Sequence, residues 1–587
     1  MRLGGPDLSD NAAKQLIEVA SGRRPADLVL RNAQVVSVVS NEIIEGSVAF
    51  CGEKIAGIGD YRGSKTIDLA GRYVCPGFID AHVHIESSML TVPEFARVVV
   101  SHGTTAVVAD PHEFANVMGT EGISFVLRSA KYAPLDVFIM LSSCVPASPL
   151  ESAGAELTAE DLEPFLANPW VLGLAEVMNY PGVVAGQDET LSKIAIAAGR
   201  IVDGHAPGLE GRELTAYAAA GIMSDHECTS PSEAAEKLRR GLYIMIREGS
   251  QTRNLKALLP LVTPSTADRF MFCTDDKDVR DLLEEGQIDH MIRAAIAQGL
   301  DPILAVRLGS YNAAKYFGLR QLGSVQPGGR ADLAVLEDLK KCRVTEVFHR
   351  GQLVAEGGAC IAARTSAERR APLRSSIDVH PLKLDDFAIA APPGASPADP
   401  PRIHFIHVIE NRIDTERGIA PVRLIDERLE ADADRDIAKL VVIERHRASG
   451  EIGRGFVRGF QLRSGAMASS VAHDAHNIIV VGMSDSDMLE AALRVCSLRG
   501  GLVVADGGRV IAEVPLPVAG LVSDEPPELV AQRLRDLCQA ARGLGCPLEQ
   551  PFMALSFLSL SVIGKLKLTN QGLIDVERFA AIPLIVH

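Results

Sequence analysis

The chain has 587 residues, of which 47% are apolar, and a formal net charge of −16. Its length predicts about three domains, and its acidity argues against nucleic acid as a partner, because phosphate binding needs clustered Lys and Arg. The ten cysteines form no C-x-x-C pair, which disfavours a zinc ribbon, a redox motif or a disulfide framework. With no amino-terminal signal region and no apolar run long enough to span a bilayer, the sequence predicts a cytoplasmic protein that does not bind membranes.

Both flanks of the first 375 residues contain short β-like runs separated by Gly and Asn. We expect them to form one small β-sandwich domain, with residues 1–75 as its amino-terminal part and residues 321–375 as its returning part. The predicted strands are Asp27–Arg31, Gln34–Val39, Gly46–Cys51 and Lys54–Ile58 in the first part, and Leu333–Leu336, Val344–His349 and Gln352–Val354 in the second.

Between the two flanks, residues 76–320 alternate strand-like and helix-like segments. The eight predicted strands are Phe78–Glu86, Thr104–Ala109, Asp136–Leu141, Val171–Val177, Ile201–His205, Gly221–His226, Leu242–Arg247 and Arg269–Thr274. Eight such units in this length predict an α/β fold of the (β/α)₈ TIM barrel type. A doubly wound sheet would bring a Gly-rich phosphate loop after the first strand, and none is present.

The last third of the chain predicts a separate region. Five prolines lie between residues 390 and 401, so residues 376–401 are expected to be a linker. Residues 402–587 are expected to form a second α/β domain, with strands Lys439–Glu444, Asn477–Val481, Gly501–Ala505 and Arg509–Val514 and helices Asp485–Leu498 and Leu529–Leu544.

Residues that can bind metals follow six of the eight predicted barrel strands. They are His82, His84 and Glu86, then Asp110, His112 and Glu113, then Glu176, His205, Asp225-His226-Glu227 and Asp275-Asp276. Catalytic groups of barrel enzymes lie at the carboxyl ends of strands. Each residue taken alone fits a solvated strand end as well as it fits a metal ligand. Six such groups in one ring, however, would be a costly accumulation of charge unless metal ions neutralise it.

The His82-Val83-His84 pair adds to this prediction. Side chains on a strand alternate between faces, so the two imidazoles are expected to point the same way. Two adjacent neutral imidazoles are typical of a divalent metal site.

Several segments together resemble a known family. The order of small β domain, Pro76-Gly-Phe-Ile-Asp-Ala-His-Val-His84, barrel, and Pro327-Gly-Gly-Arg-Ala-Asp-Leu333 resembles the amidohydrolase superfamily. Within it, Ile85–Met89, Asp110–Glu113, Thr274–Asp276 and Gly465–Asn477 resemble the adenine deaminase branch, and this resemblance covers nearly the whole chain.

The resemblance implies a set of metal ligands. His82 and His84 are expected to bind one metal, Glu176 to bridge two metals, His205 and His226 to bind the second, and Asp275 to be both ligand and base. Cyclic-amide hydrolases of the superfamily have a carboxylated Lys on the fourth strand. Residues 171–177 contain no Lys, so Glu176 is expected to bridge the two metals in its place, and a cyclic-amide hydrolase function is disfavoured.

The implied reaction is hydrolytic deamination of adenine to hypoxanthine and ammonia, by a metal-activated hydroxide that attacks C6. Asp275 is expected to take the proton of the hydroxide, and Glu176 or a neighbouring acid to deliver one to N1. The remaining proton transfers, or orientation of the histidines, are expected from Asp110, His112, Glu113 and Asp276. Glu86 and Ser87 are expected to bind substrate.

The implied cofactors are two divalent metal ions. Histidine and carboxylate ligands without thiolate fit Fe²⁺, Mn²⁺ or Zn²⁺, and the resemblance favours manganese or iron. The single-zinc deaminases with a P-C-x-x-C signature are excluded, since the motif is absent.

His473, Asp474, His476 and Asn477 form the densest polar cluster of the carboxyl-terminal domain. They are expected either to contact substrate or to supply an extra metal site; a turn stabilised by Asx-type hydrogen bonds is an equal alternative. Rival functions are an amide-bond hydrolase, such as a deacetylase of an N-acetylated amino sugar, deamination of another small aminopurine, and a non-catalytic scaffold. A homo-oligomer is expected by analogy with other barrels.

Overall fold

The computed structural model describes residues 11–363, 376–410 and 412–586. Residues 1–10 and 364–375, which were assigned above to the small β domain, lie outside the described residues, as do Asn411 and His587. Among the described residues, no helix is long and apolar enough to cross a bilayer.

The middle of the chain is a closed barrel of eight parallel strands, as predicted. The strands are Phe78–Val83, Thr104–Ala109, Asp136–Leu141, Val171–Val177, Ile201–Gly204, Ser224–Asp225, Tyr243–Arg247 and Phe270–Cys273. The first five pair in chain order, and so do the last three. Backbone bonds join these groups on both sides: Met223 N donates to Val202 O at 2.9 Å, Asp275 N donates to His82 O at 2.9 Å, and His84 N donates to Asp275 O at 3.3 Å.

Helices surround the barrel, both between its strands and after the eighth. They are Val92–Ser101, His112–Met118, Thr120–Ser129, Ala159–Leu162, Tyr180–Ala185, Asp188–Ile196, Gly211–Ala219, Pro231–Arg239, Leu255–Leu258, Val279–Glu284, Ile288–Ala297, Pro302–Leu308 and Tyr311–Tyr316. Their starts follow local rules. Ser230, for example, precedes Pro231 and accepts a hydrogen bond from Glu233 N at 3.3 Å, which is the usual N-cap with proline in the first turn.

The small β domain contains strands from both flanks, which confirms its composite origin. Its nine strands are Ala26–Ser37, Glu42–Cys51, Lys54–Gly59, Gly63–Asp68, Tyr73–Pro76, Leu333–Leu336, Val344–His349, Gln352–Glu356 and Ala359–Cys360. The flanks meet where Leu333–Leu336 pairs with Tyr73–Pro76.

This sheet folds back on itself. Phe50 and Phe348 lie on strands that three other strands separate in the sheet order. In a flat sheet, strands about 4.8 Å apart would hold these rings about 19 Å from each other. The ring centroids are 5.6 Å apart, so the two halves of the sheet face each other across an apolar core.

The carboxyl-terminal region is built on an eight-stranded sheet. In sheet order the strands are Thr415–Pro421, Arg402–Val408, Ile452–Arg458, Ala438–Ile443, Ile478–Gly482, Ala466–Ser469, Gly501–Asp506 and Arg509–Pro515. A small sheet of Leu566–Thr569, Gly572–Asp575 and Ala580–Ile582 is also present, and the helices are Asp485–Ser497, Pro527–Gly543 and Pro551–Ser556. In the segment predicted as a linker, Phe387 and Ile389 are buried against this region.

The carboxyl-terminal region covers the mouth of the barrel. Ser523 N donates to Met89 O at 2.8 Å, and Asn477 Nδ2 donates to Ser152 O at 2.9 Å. One continuous apolar core contains residues from both regions. The carboxyl ends of the barrel strands are therefore enclosed.

Candidate metal centre and active site

The barrel strands deliver the predicted metal ligands to one point. His82 lies on the first strand and Glu176 on the fourth, while His205, His226 and Asp275 follow the ends of the fifth, sixth and eighth strands. All of these side chains, and that of His84, are buried. Parallel strands bring their carboxyl ends to the same edge, which is why residues almost 200 positions apart meet here.

His82, His84 and Asp275 form the first part of the centre. The Nε2 atoms of the two histidines are 3.1 Å apart, and Asp275 Oδ1 is 3.5 Å from His82 Nε2 and 3.0 Å from His84 Nε2. His84 Nδ1 lies 3.1 Å from Asp110 O, which orients Nε2 towards the centre. Asp275 adopts a left-handed backbone conformation with φ of 59°, which Asp tolerates better than most residues.

Glu176, His205 and His226 form the second part. Glu176 Oε2 lies 2.8 Å from His205 Nδ1 and 3.2 Å from His226 Nε2. Its other oxygen, Oε1, lies 3.4 Å from His84 Nε2. One carboxylate thus faces histidines of both parts, which is the geometry that a bridging ligand requires.

Arg247 and Glu227 also belong to this centre. Glu227 was predicted only as part of the Asp225-His226-Glu227 group at the end of the sixth strand, and Arg247 was not predicted. Arg247 is the last residue of the seventh strand, and its Nη1 donates to Asp275 Oδ2 at 2.6 Å. Its guanidinium also contacts both oxygens of Glu227, with Nη2 to Oε2 at 3.0 Å. The strand-end rule that found the histidines also applies to Arg247, because a buried charge at the end of an apolar strand is the same signal.

The donor set fits a divalent metal. Imidazole nitrogens and carboxylate oxygens of His82, His84 and Asp275 lie within 4.8 Å of one another, and so do those of His82, Glu176 and His226. His205 Nε2 is buried without a hydrogen-bond partner. Burial alone would lower the pKa of His226, but the adjacent carboxylate of Glu176 raises it to about 9, so this set attracts positive charge.

The Asp110–Glu113 segment brings a second group of side chains beside the first. His112 Nδ1 is 3.3 Å from Glu176 Oε1 and 3.3 Å from Asp110 Oδ2. Asp110 also accepts from Ser142 Oγ at 2.6 Å. Glu113 contacts His473 and His476 of the carboxyl-terminal region, so the two regions of the chain meet at this carboxylate.

The remaining predicted residues occupy different positions. Asp474 lines the cavity described below, and Asp276 lines it next to Ser87, whose hydroxyl contacts the Asp276 carboxylate. Glu86 and His476 do not line it. Glu86 accepts a hydrogen bond from Phe114 N at 3.2 Å, and His476 lies behind Glu113, so contact of either with substrate is not supported by the geometry.

A cavity lies at the barrel mouth between the two regions. Its barrel side includes His84, Glu176 and Asp275. The carboxyl-terminal region contributes the polar His473 and Asp474 and the apolar Ile413, Phe557, Leu560 and Ile563. Glu227 and Arg247 also line a larger cleft of about 1310 Å³. The cavity thus combines polar groups with apolar side chains, as ligand-binding sites commonly do.

Asp80 supports the floor of the site and was not predicted. It is buried within the first strand, accepts from Thr274 N at 3.1 Å and from Gln287 Nε2 at 2.7 Å, and so ties the first strand to the loop that carries Asp275. Burial raises its pKa to about 7. The sequence signal that could have predicted its role is a charged residue within an otherwise apolar strand.

Comparison with known proteins agrees with this architecture. The amidohydrolase family model matches residues 73–354, and the adenine deaminase C-terminal domain model matches residues 412–580. An adenine deaminase of Desulfatibacillum aliphaticivorans is 48% identical over 97% of this chain and 99% of that protein. Adenine deaminases of Dehalococcoides mccartyi strain 195 (47% identical over 97% and 98%) and Methylobacterium sp. strain 4-46 (46% over 98% and 100%) are similar. These full-length matches establish that the chain belongs to the adenine deaminase family of amidohydrolases.

Proposed function

We propose that this enzyme hydrolyses adenine to hypoxanthine and ammonia. The observation that carries the proposal is the buried set of His82, His84, Glu176, His205, His226 and Asp275 at a cavity roofed by the carboxyl-terminal region. Membership of the adenine deaminase family over the full chain supports adenine as the substrate.

We assign these six residues to two divalent ions, with His82 and His84 at one, His205 and His226 at the other, Glu176 between them and Asp275 beside the first. Manganese or iron is the preferred metal and zinc the alternative, since the donors are nitrogen and oxygen only. When bound, such ions lower the pKa of water and polarise it for attack.

We assign Asp275 as the base. Arg247 holds its Oδ2 at 2.6 Å, so Oδ1 remains directed at the histidines. The ion pair with Arg247 outweighs the effect of burial and holds the pKa of Asp275 well below its usual range. In our assignment, Oδ1 takes a proton from the water that adds to C6 and Arg247 keeps the carboxylate oriented.

Two further protons must reach the substrate, one on N1 when the ring loses aromaticity and one on the departing nitrogen. In our assignment the water supplies both: Asp275 removes the first, and the second leaves the C6 hydroxyl as the carbonyl forms. Glu176, which lines the cavity, is one relay for these protons. Asp276, held by Ser87, also lines the cavity and is the second relay. Asp110 and His112 orient the group around Glu176 through the contacts described above.

No structural observation favours an amide-bond hydrolase, a deacetylase or an aminopurine other than adenine. We further propose that the enzyme works in the cytoplasm in purine salvage or breakdown, and as a homo-oligomer. Size-exclusion chromatography with light scattering would test the last point.

The test is the ultraviolet change from adenine to hypoxanthine, with ammonia release measured in parallel, after loading purified protein with Mn²⁺. Adenosine and an N-acetylated amino sugar serve as comparison substrates. We expect turnover of free adenine that is lost in Asp275→Ala. If the metal-loaded protein does not deaminate adenine, the proposal is overturned. If it hydrolyses the N-acetylated amino sugar instead, the deacetylase function replaces it.

A further inference from the structure

A second buried cluster of potential ligands lies between the barrel and the carboxyl-terminal region. It consists of His112 and Glu113, at the start of the helix His112–Met118, and of His473 and Asp474, in the loop after the strand Ala466–Ser469. One donor atom of each side chain lies within 4.8 Å of the donor atoms of the other three. His112 Nε2 is 3.3 Å from Glu113 Oε1 and 3.8 Å from Asp474 Oδ1, and His473 Nδ1 is 4.0 Å from Asp474 Oδ1.

Two atoms that face the middle of this cluster lack a hydrogen bond. His112 Nε2 and Asp474 Oδ2 are buried and without a hydrogen-bond partner, whereas Glu113 Oε1 contacts His473 Nδ1. Leaving a buried polar atom unpaired costs about 1–3 kcal/mol. Two such atoms in one place indicate that something else satisfies them.

The outward-facing atoms of the same residues do have partners. His112 Nδ1 faces the carboxylates of Asp110 and Glu176, each at 3.3 Å, and a proton on Nδ1 leaves the lone pair of Nε2 directed into the cluster. His476 Nδ1 accepts from Ala472 N at 3.1 Å, so its Nε2–H is free to donate to the second oxygen of Glu113, which it contacts. Outer partners of this kind orient metal ligands in known sites.

The charge of the cluster leads to the same conclusion. Glu113 and Asp474 are two buried carboxylates, and the ion pairs that the structure gives them in the described part of the chain are with histidines, not with Lys or Arg. Arg247, the buried cation of the neighbouring centre, pairs with Glu227 and Asp275 instead. Two carboxylates and two imidazoles form a donor set typical of a divalent ion.

We propose that His112, Glu113, His473 and Asp474 bind a divalent cation of the zinc or manganese class, separate from the two ions assigned above. Ligands about 2.0–2.1 Å from tetrahedral zinc lie about 3.3 Å from each other, which matches the 3.3 Å between His112 Nε2 and Glu113 Oε1, while His473 Nδ1 and Glu113 Oε1 are in direct contact. The ion joins the helix after the second barrel strand to the carboxyl-terminal region. The proposal does not depend on the reaction that the enzyme catalyses.

Metal counting tests this site. Full-length protein is stripped with a chelator, loaded with excess Zn²⁺ or Mn²⁺ in separate arms, freed of unbound metal by gel filtration, and analysed by mass spectrometry. We expect about three equivalents in the wild type and about two in Asp474→Asn and His473→Asn. His407→Asn, which removes an exposed imidazole of the same region, is the matched control and should keep the wild-type value. His476→Gln should keep the third equivalent with about 10–100-fold weaker affinity.

A wild type that binds two equivalents or fewer, or cluster variants that keep the wild-type number, would overturn the proposal. Crystals of loaded wild type give a second test that needs no variant. Anomalous scattering at the absorption edge of the metal should show a peak among the four side chains, and absence of the peak counts against the site. Neither readout uses activity, so the two proposals can fail separately. A protein that binds this ion but does not deaminate adenine would overturn only the proposed function, and an active enzyme with only two ions would overturn only this site.

Discussion

The two ends of the barrel both contain buried charges, but they are neutralised differently. At the amino end, Asp136 starts the third strand and pairs with Arg330 at 2.5 Å and Arg350 at 2.9 Å, both from the small β domain. Asp332 accepts from Arg330 Nε at 2.5 Å and from Arg350 N at 2.6 Å. Two carboxylates thus face two arginines, and this end needs no external ion.

At the carboxyl end, carboxylates outnumber permanent cations. Glu176, Glu227, Asp275, Glu113 and Asp474 are buried together, and Arg247 is the one Lys or Arg in the described residues for which an ion pair with them is found. The rest of the positive charge must come from protonated histidines or metal ions. The amino-end network therefore holds two domains together, whereas the carboxyl end has an excess of negative charge that favours the binding of cations.

The largest effect should follow from removing a ligand at the carboxyl end. We expect His82→Ala to lower kcat/KM for adenine at least about 1,000-fold, or about 4 kcal/mol of transition-state stabilisation, because it loses a metal ligand. Steady-state kinetics and metal content measure this. His349 lies at the amino end, with its Nδ1 3.2 Å from Asp332 Oδ1. His349→Asn is therefore the control, and its kcat/KM should stay within about threefold of the wild type; similar losses in both variants would contradict the comparison.

Arg247→Met should destabilise the protein by about 3–5 kcal/mol, because it leaves Glu227 and Asp275 buried without their cation. Urea unfolding of metal-free and metal-loaded protein measures the effect, and the loss should be smaller in the loaded form, where bound ions compensate. Arg247→Lys keeps the positive charge but loses the bidentate contact with Glu227, so its free energy of unfolding should lie between those of the wild type and Arg247→Met. An equal loss in both forms would mean that bound metal does not balance these carboxylates.

Asp136→Asn should lower the free energy of unfolding by about 3 kcal/mol, because it leaves two arginines without their shared carboxylate. Here the loss should be the same with and without chelator, and kcat/KM should stay within about twofold. A chelator-dependent loss would show that the amino end is linked to the metal centre after all.

Arg350→Gln should have the smallest effect, about 0.5–1 kcal/mol, because the Arg350 side chain is 37% exposed and solvent screens its pairing with Asp136. Urea unfolding at low and high salt measures it, with the difference from wild type shrinking as salt increases. A loss as large as that of Asp136→Asn would show that Arg350, rather than Arg330, is the main partner of this carboxylate.

Much of the barrel was predictable from the sequence. The bounds of Thr104–Ala109, Asp136–Leu141 and Val171–Val177 match the prediction, because buried parallel strands are continuous apolar runs with clear ends. After the eighth strand, the sequence pattern predicts one helix over Pro302–Phe317, but the structure has two helices there, Pro302–Leu308 and Tyr311–Tyr316. Gly309 O accepts from Ile79 N at 2.8 Å, so a contact with the first strand interrupts the helix, which local pattern does not reveal.

The small β domain shows a similar limit. Its first predicted strands, Asp27–Arg31 and Gln34–Val39, are one strand, Ala26–Ser37, whose pairing register shifts between Leu30 and Ala33. The polar strand Gly63–Asp68 was not predicted. It forms because its backbone pairs with the first half of that strand, and pairing between distant segments leaves little trace in a short polar run.

Sequence alone indicated which residues follow the barrel strands, because strand period and apolar runs are local properties, and the family resemblance then selected six of these residues as the expected ligands. Only the tertiary structure decided which atoms face each other. The pairing of Arg247 with Asp275, the support of the site by Asp80 and the meeting of Glu113 with His473 join residues 28, 194 and 360 positions apart. Contacts over such distances depend on barrel closure and on the docking of the carboxyl-terminal region, and no local pattern encodes them.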